Sequence, residues 1–266
     1  MDKKKRKIRL RNPLRTIARE DLGTFQVERL RRFKNITIRT GTAMTKINEN
    51  AIVTSNGERI GYRYLVGADG AASRVRNHLG LKRRISMGIQ YILPTKAGRV
   101  VWYNNPRKLG AGYGWVFPHR KFTSAGIFFD PRRINMREAK EALHDMLREM
   151  HIPYEHARFE GAPVNCLYEG IKHGNIFLAG DAAGVTSALT GEGISFAMAT
   201  GKDIAEHILG TNTSFRYLKQ ILKYKRRQER LLAIANLVRS PWLQKIGLVG
   251  FINLLRFPWF QKYIGN

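Results

Sequence analysis

The sequence predicts a mixed α/β chain, part parallel and part antiparallel (α+β), on three observations. Two short apolar runs, at 64–66 and 176–179, each end in a turn carrying glycine and aspartate, as strands that feed a ligand loop do. Between them, residues 85–130 are rich in β-branched and aromatic side chains broken by turn residues, which reads as an antiparallel sheet. After Gly210 the chain becomes helical and basic. These divide it into segments 1–84, 85–165, 166–210 and 211–266.

The chain opens MDKKKRKIRLR. As a bare motif this is a basic cluster of the nucleic-acid or nuclear-import type. The alternation of Ile8 and Leu10 with Lys7, Arg9 and Arg11 favours a half-buried surface strand instead. A helix is expected from Thr16 to Leu30, with Glu20 and Asp21 near its start. From Ile36 to Val66 the pattern is β. Ile36 and Ile38 alternate with polar residues, and Asn56-Gly57 joins Ala51-Ile52-Val53 to Arg59-Ile60 as a hairpin.

In the central sheet Tyr113, Trp115 and Phe117 fall on one face at a period of two. Such a row fills a sheet's core face or lines an apolar channel. Asn135 with Glu138 forms a capping box, and Ala139, Leu143, Met146, Leu147 and Met150 give the helix behind it a buried face.

The strand at 176–179 stops at Gly180-Asp181, and the turn Thr190-Gly191-Glu192-Gly193 follows. A helix then carries Ile194, Ala197, Met198, Gly201, Ile204, Ala205 and Ile208 on one face, with Gly210 placed to end it. An aspartate at a strand end offers only acceptors, which suits hydroxyl groups. The free N–H groups of the following helix suit negative charge. An ordinary strand–turn–helix unit fits the same pattern.

Apolar residues make up 43%, as in a folded globular protein, while 47 Lys+Arg against 20 Asp+Glu leave a net charge of +27. That balance favours anionic partners or marks a basic surface. Cys166 is the sole cysteine, so no intrachain disulfide or cysteine-based zinc site forms; it reads as an inert buried thiol in a reducing, cytoplasmic compartment. The histidines show no metal-ligand spacing, and His151 and His156 read as surface residues. The run at 246–255 is too short to span a bilayer. The basic positions Lys219, Lys223, Lys225, Arg226, Arg227 and Arg230, followed by Trp242 and Trp259, suit an interfacial membrane segment or a helix pair packed on the body.

The stretch GDAAG followed by LTGEGI resembles the second FAD-binding motif of the p-hydroxybenzoate-hydroxylase-like flavoproteins, and in particular the geranylgeranyl reductase family. GADGAASRVR, at 67–76, resembles that family's GADGxxSxVR, and Tyr113-x-Trp115-x-Phe117-Pro118 its isoprenoid-associated motif. The resemblance implies FAD as cofactor, with Asp181 on the ribityl chain and Gly180, Gly191, Glu192, Gly193 and Ile194 beside it and the flavin ring. It also implies that Asp69 and Gly70 lie close to the cofactor, that Arg19 approaches it, and that Tyr113, Trp115 and Phe117 contact the substrate. Ala188 stands where the family usually has proline, and Gly23 where it has aspartate.

The resemblance runs from about Lys7 to Leu209, and no Gly-x-Gly-x-x-Gly occurs. It therefore implies a truncated FAD-binding Rossmann-like domain without its N-terminal βαβ unit, an antiparallel substrate domain and C-terminal helices. A fragment, one half of a split protein and a degraded gene product are all consistent with that. The implied activity is FAD-dependent reduction of prenyl double bonds in an isoprenoid lipid or its precursor, completed by an upstream polypeptide, in the cytoplasm or peripherally at an anionic membrane. An aromatic monooxygenase or quinone-linked flavoprotein and a non-catalytic basic membrane-binding subunit are the alternatives. Nucleic acid is not an expected partner, no metal is implied, and no residue is singled out as proton donor.

Overall fold

The computed structural model describes residues 16–237 and Phe257. The expected strand at Ile8 and Leu10 and the tryptophans at 242 and 259 lie outside these residues. Helix α1 (Arg19–Leu30) leads into a small antiparallel meander, β1 (Met44–Ile47), β2 (Ala51–Thr54) and β3 (Arg59–Gly61). The Asn56-Gly57 turn joins β2 to β3, with Gly57 at φ +82°. Strand β4 (Leu65–Gly67) then feeds the short helix α2 (Arg74–His78).

The middle of the chain builds β5 (Ile85–Leu93), β6 (Val101–Tyr103), the single turn α3 (Pro106–Leu109), β7 (Tyr113–Pro118) and β8 (Thr123–Phe129). Helix α4 (Met136–Glu149) follows, then β9 (Arg158–Asn165). The chain ends in β10 (Lys172–His173), β11 (Ile176–Leu178), α5 (Ile194–Ile208) and α6 (Arg216–Leu237). The expected mixture of helix, antiparallel sheet and a parallel pair is present.

The large sheet has the order β6-β7-β8-β5-β9, antiparallel throughout. One face packs on α4, whose Asn135–Glu138 capping box is formed in both directions at 3.0 Å. Ile89, Tyr91, Leu93, Val116, Ala125 and Ile127 from the strands meet Ala139, Leu143, Met146 and Leu147 there. The opposite face carries the aromatic row.

A second core joins β11, α2, α5 and α6 through Val75, Phe177, Leu178, Phe196, Ile204, Leu218 and Ile221. Its sheet, β10-β11-β4, contains one parallel pair, β11 beside β4, with Leu178 opposite Gly67. The parallel register delivers the Asp69 and Asp181 turns at the same end of the sheet. Among the described residues the outer edge of β4 has no partner strand, and Tyr64 and Val66 are exposed there.

Three expectations are corrected. Ile36 and Ile38 form no strand; both are exposed in irregular chain, because no neighbouring strand accepts their backbone bonds. Helix α1 begins at Arg19, not Thr16, and buries none of its residues; Thr16 instead donates its hydroxyl to the carbonyl of Pro118. In α5 the apolar stripe is not the buried face. Ile194, Ala197, Met198 and Ala205 are exposed, whereas Phe196, Thr200, Asp203 and Ile204 are buried. The polar pair is accommodated because each has internal partners: Gly180 N–H donates to Thr200 Oγ1, and the N–H groups of Tyr217 and Leu218 donate to Asp203, capping α6.

Arg76, the last residue of the GADGAASRVR stretch, is fully buried and joins the two cores' loops. It donates to the carbonyls of Lys82, Leu167 and Ala182 and pairs with Glu169 at 3.0 Å. Replacement by methionine strands those carbonyls without a donor. Arg76→Met is expected to lower stability by about 3–5 kcal/mol, measured as a shift in urea midpoint at unchanged slope. Arg76→Lys should recover only part of it, since one ammonium cannot reach partners on opposite sides of the guanidinium fork.

Candidate functional site

The site is the loop between β11 and α5. Gly180 turns the chain out of β11 at φ +58°, and a Cβ there would sit 2.8 Å from Ala197 Cβ. Gly184 lies still tighter: at φ +73°, a Cβ would fall 1.8 Å from the carbonyl oxygen of Leu167. These glycines let the loop fold against α5 and the 165–169 segment.

The Asp181 carboxylate receives the Thr186 hydroxyl. Gly193, the residue before α5, packs directly on this pair, since a Cβ would meet Thr186 Oγ1 at 2.9 Å and Asp181 Oδ1 at 3.3 Å. No side chain caps α5, so its first N–H groups have no side-chain acceptor, and the residue before them, Gly193, lies against the Asp181–Thr186 pair. Burial pushes the Asp181 carboxyl above its ordinary value, while the Thr186 bond and the charges of Arg19 and Lys225 pull it back. Arg19 thus reaches the site through its field. Glu192 is exposed and accepts from Ser195, and Ile194 opens α5 with an exposed side chain.

Asp69 plays a different part. Its carboxylate accepts from the N–H groups of Arg74 and Val75 at 2.7 and 3.3 Å and so caps α2, with Gly70 at φ +75° making the turn. An open hollow of about 440 Å³ adjoins that cap, lined by Met44, Lys46, Ile47, Arg74, Asn77 and His78.

The aromatic row meets the loop at one end. Tyr113 donates its phenol to the carbonyl of Thr190 at 2.5 Å, and a Cβ on Gly191 would stand 3.3 Å from the Phe128 ring. Burial pushes the Tyr113 phenol above its ordinary value, keeping it a neutral donor. Ring centroids step 6.1 Å from Tyr113 to Trp115 and 6.1 Å from Trp115 to Phe117, with Trp102 edge-on to Phe117 at 5.9 Å. The Trp115 indole lies across β8 because Gly126 has no side chain; a Cβ there would be 2.5 Å from Cζ2 of the ring. The row is therefore a wall beside the loop and not part of the α4 core.

Sequence reasoning missed the residues that hold the loop from behind. Asn165, fully buried at the end of β9, donates to the carbonyl of Asp181 at 3.2 Å. Lys225, counted above among the basic positions of the C-terminal helix, is buried; its Nζ donates to the carbonyls of Cys166 and Thr186 at 2.8 and 2.7 Å and pairs with Glu229 at 3.2 Å. Its spacing was the signal: Leu218, Ile221, Lys225 and Gln228 share the buried face of α6. Burial pulls its ammonium below the ordinary lysine value, against the opposing charge of Glu229. Cys166 is buried, its thiol raised by that burial, as an inert cysteine should be. Among the described residues no cluster of metal-ligating side chains occurs, and no helix is long and apolar enough to cross a membrane.

Residues 10–214 match the family model described as FAD binding domain. The chain belongs to that family. Its cofactor is FAD, and the loop fits one: a glycine-lined turn, an aspartate acceptor and an uncapped helix start adjoin one another. The chain is 32% identical over 160 residues to a geranylgeranyl diphosphate reductase of Rhodobacter capsulatus, covering 54% of this chain and 39% of that protein. A geranylgeranyl bacteriochlorophyll reductase-like structure from Thermoplasma acidophilum aligns with TM-score 0.58 at 23% identity, covering 80% of this chain and 60% of that one. A candidate FAD-dependent monooxygenase from Pseudomonas aeruginosa shares the fold at TM-score 0.58 and 18% identity, covering 85% and 71%. The chain spans well under half the length of the Rhodobacter relative.

Gly193→Ala is expected to push α5 off the Asp181–Thr186 pair and weaken FAD binding with little loss of helix content. Lys225→Met, which leaves two carbonyls bare, should cost about 1–3 kcal/mol of stability. Circular dichroism melts and flavin titration of both variants separate the two effects.

Proposed function

We propose that this chain carries the ribityl- and flavin-proximal half of an FAD-dependent reductase of prenyl double bonds. The observation that carries the reading is the junction of Tyr113 and Phe128 with the Thr190–Gly193 turn, which seats one end of an apolar aromatic wall against the FAD loop. In this reading Asp181 and Thr186 hold ribityl hydroxyls, and Gly180, Gly191 and Gly193 let the ring system approach the backbone. The N–H groups that start α5 at Ile194 face developing negative charge, and Arg19 adds a positive field. Asp69 and Gly70 shape the neighbouring turn. FAD when bound supplies the hydride chemistry. Tyr113, Trp115 and Phe117 orient the isoprenoid chain and keep water from it. The aromatic row of Tyr113, Trp115 and Phe117 fits a long hydrocarbon better than a small polar aromatic, which favours this reading over an aromatic hydroxylase.

The glycine loop that binds the pyrophosphate of FAD is supplied, we infer, by polypeptide outside these 266 residues. The open edge of β4, with Tyr64 and Val66 exposed, and the bare stripe of Ile194 and Met198 on α5 are the surfaces such a βαβ unit covers. The protein works in the cytoplasm and attaches peripherally to anionic membrane. Lys219, Lys223, Arg226 and Arg230 on the exposed side of α6 support the attachment.

Purified alone, the chain should be nearly colourless. A polypeptide with the strand–Gly-x-Gly-x-x-Gly–helix–strand unit should restore flavin absorbance and prenyl reduction together. Asp181→Ala in that assembly should weaken FAD at least about tenfold, the loss of a charge-assisted bond. Stoichiometric FAD on the isolated chain, or an unchanged affinity in the variant, would remove this assignment. Sedimentation with anionic vesicles should fall as salt rises, since screening shortens the reach of surface charge; salt-independent sedimentation would count against the membrane contact.

A further inference from the structure

Helix α6 starts at Arg216, beyond the residues matched to the FAD binding domain, which end at 214. It nevertheless reaches the cofactor loop. Its first turn is moored to α5, where Asp203 accepts from the N–H groups of Tyr217 and Leu218 at 3.3 and 2.6 Å. Leu218 and Ile221 then pack into the second core. About two turns after Leu218 the same buried face presents Lys225. A lysine that is only 3% exposed is a poor packing residue, because burying an ammonium is costly unless its donors are met.

Here they are met. The ammonium has three N–H donors, and its three acceptors are the carbonyls of Thr186 and Cys166 and the Glu229 carboxylate. Arg84 shares two of these acceptors, lying 2.6 Å from Glu229 and 3.3 Å from the Cys166 carbonyl. Lys225, Glu229, Arg84 and Cys166 thus close a ring behind the loop. The ring bears on Asp181 by two routes. Asn165 accepts from the Arg84 N–H at 3.1 Å and donates to the Asp181 carbonyl, which fixes the main chain. Lys225 holds the carbonyl of Thr186, whose hydroxyl donates to the Asp181 carboxylate, which fixes the side chain.

The second route depends on the stiffness of Thr186. It is fully buried and β-branched, so its side chain keeps one setting relative to its backbone. With the Thr186 carbonyl held, the hydroxyl points at Asp181 and orients the carboxylate. Without the ammonium that carbonyl is buried and unpaired, and the peptide gains by turning toward another donor. The hydroxyl turns with it. Arg76 and Asn165 hold the carbonyls of Ala182 and Asp181, so of the three buried donors behind the loop Lys225 is the one bound to Thr186.

We propose that Lys225 is a positioning residue for the cofactor: from α6, outside the matched domain, its ammonium sets Thr186 and through it the Asp181 carboxylate. This role rests on the reading in which Asp181 and Thr186 hold ribityl hydroxyls, and adds to it the helix on which that pair depends. It goes beyond the stability that Lys225 contributes. Helix α6 is thereby part of the cofactor site, although its own side chains stand behind the loop.

Two measurements test it. The first is hydrogen exchange on the full chain without flavin. In Lys225→Met the amides of Ala183, Gly184 and Val185, which bond within the loop, should exchange roughly tenfold faster relative to those of α4. Equal acceleration in the loop and in α4 makes Lys225 a stability residue only and overturns the proposal. Lys225→Gln, which keeps a donor, replaces the methionine variant if that one does not fold. The second is flavin titration of the assembly with the strand–Gly-x-Gly-x-x-Gly–helix–strand polypeptide, using Lys225→Met and Thr186→Val singly and together. Each single change should weaken FAD roughly tenfold, and the pair should fall within about twofold of the weaker single, because both act on one hydroxyl. Additive losses, or unchanged affinity in Lys225→Met, overturn the relay through Thr186. Unchanged affinity in Asp181→Ala beside faster loop exchange in Lys225→Met overturns the ribityl reading and the positioning role with it, and leaves only the hold of α6 on the loop.

Discussion

The backbone from Gly180 to Ser187 has no ladder of its own, and its carbonyls are satisfied from three directions. Arg76 reaches Ala182 from α2, Asn165 reaches Asp181 from the end of β9, and Lys225 reaches Thr186 from α6. All three donors are buried. An unpaired buried carbonyl is costly, so the loop, α2, β9 and α6 hold one another in a single arrangement. The position of the Asp181 carboxylate is a product of that mutual constraint.

The same constraint explains the electrostatics. Two cations buried beside one carboxylate would be a poor bargain if each stood alone. Here Arg76 has Glu169 and Lys225 has Glu229, which Arg84 also contacts at 2.6 Å. The charges that point into the loop are thus neutralised on its far side. Asp181 is left with a hydroxyl partner and a field, not with a direct salt bridge. A carboxylate so placed keeps acceptor capacity for hydroxyl groups, which a bidentate arginine would have consumed.

Features set by neighbours in sequence were legible. The Asn56-Gly57 hairpin, the Asn135 capping box, the glycine after α5 and the alternation at Tyr113, Trp115 and Phe117 each depend on residues a few positions apart, and each is formed. Features set by distant partners were not. The buried face of α5 was misread because Thr200 and Asp203 look polar until Gly180 and the start of α6 are placed against them. Lys225 looked like its exposed neighbours for the same reason. Ile36 and Ile38 alternated like a strand, but alternation specifies a strand only where a partner edge exists. Asp69 was legible as a motif residue, while its engagement with the start of α2 was not.

The misread stripe on α5 carries a consequence of its own. Ile194 follows Gly193 directly, so the exposed apolar face begins where the FAD loop ends. The unpaired edge of β4 leads into the Asp69 turn in the same way. In the proposed reading, a βαβ unit covering those surfaces would act on the Asp69 and Asp181 turns at once, by fixing the strand and the helix beside them. Burying the stripe and binding the cofactor would then be linked by mass action: each would lower the ordering cost of the other, without any direct contact between the covering segment and Asp181.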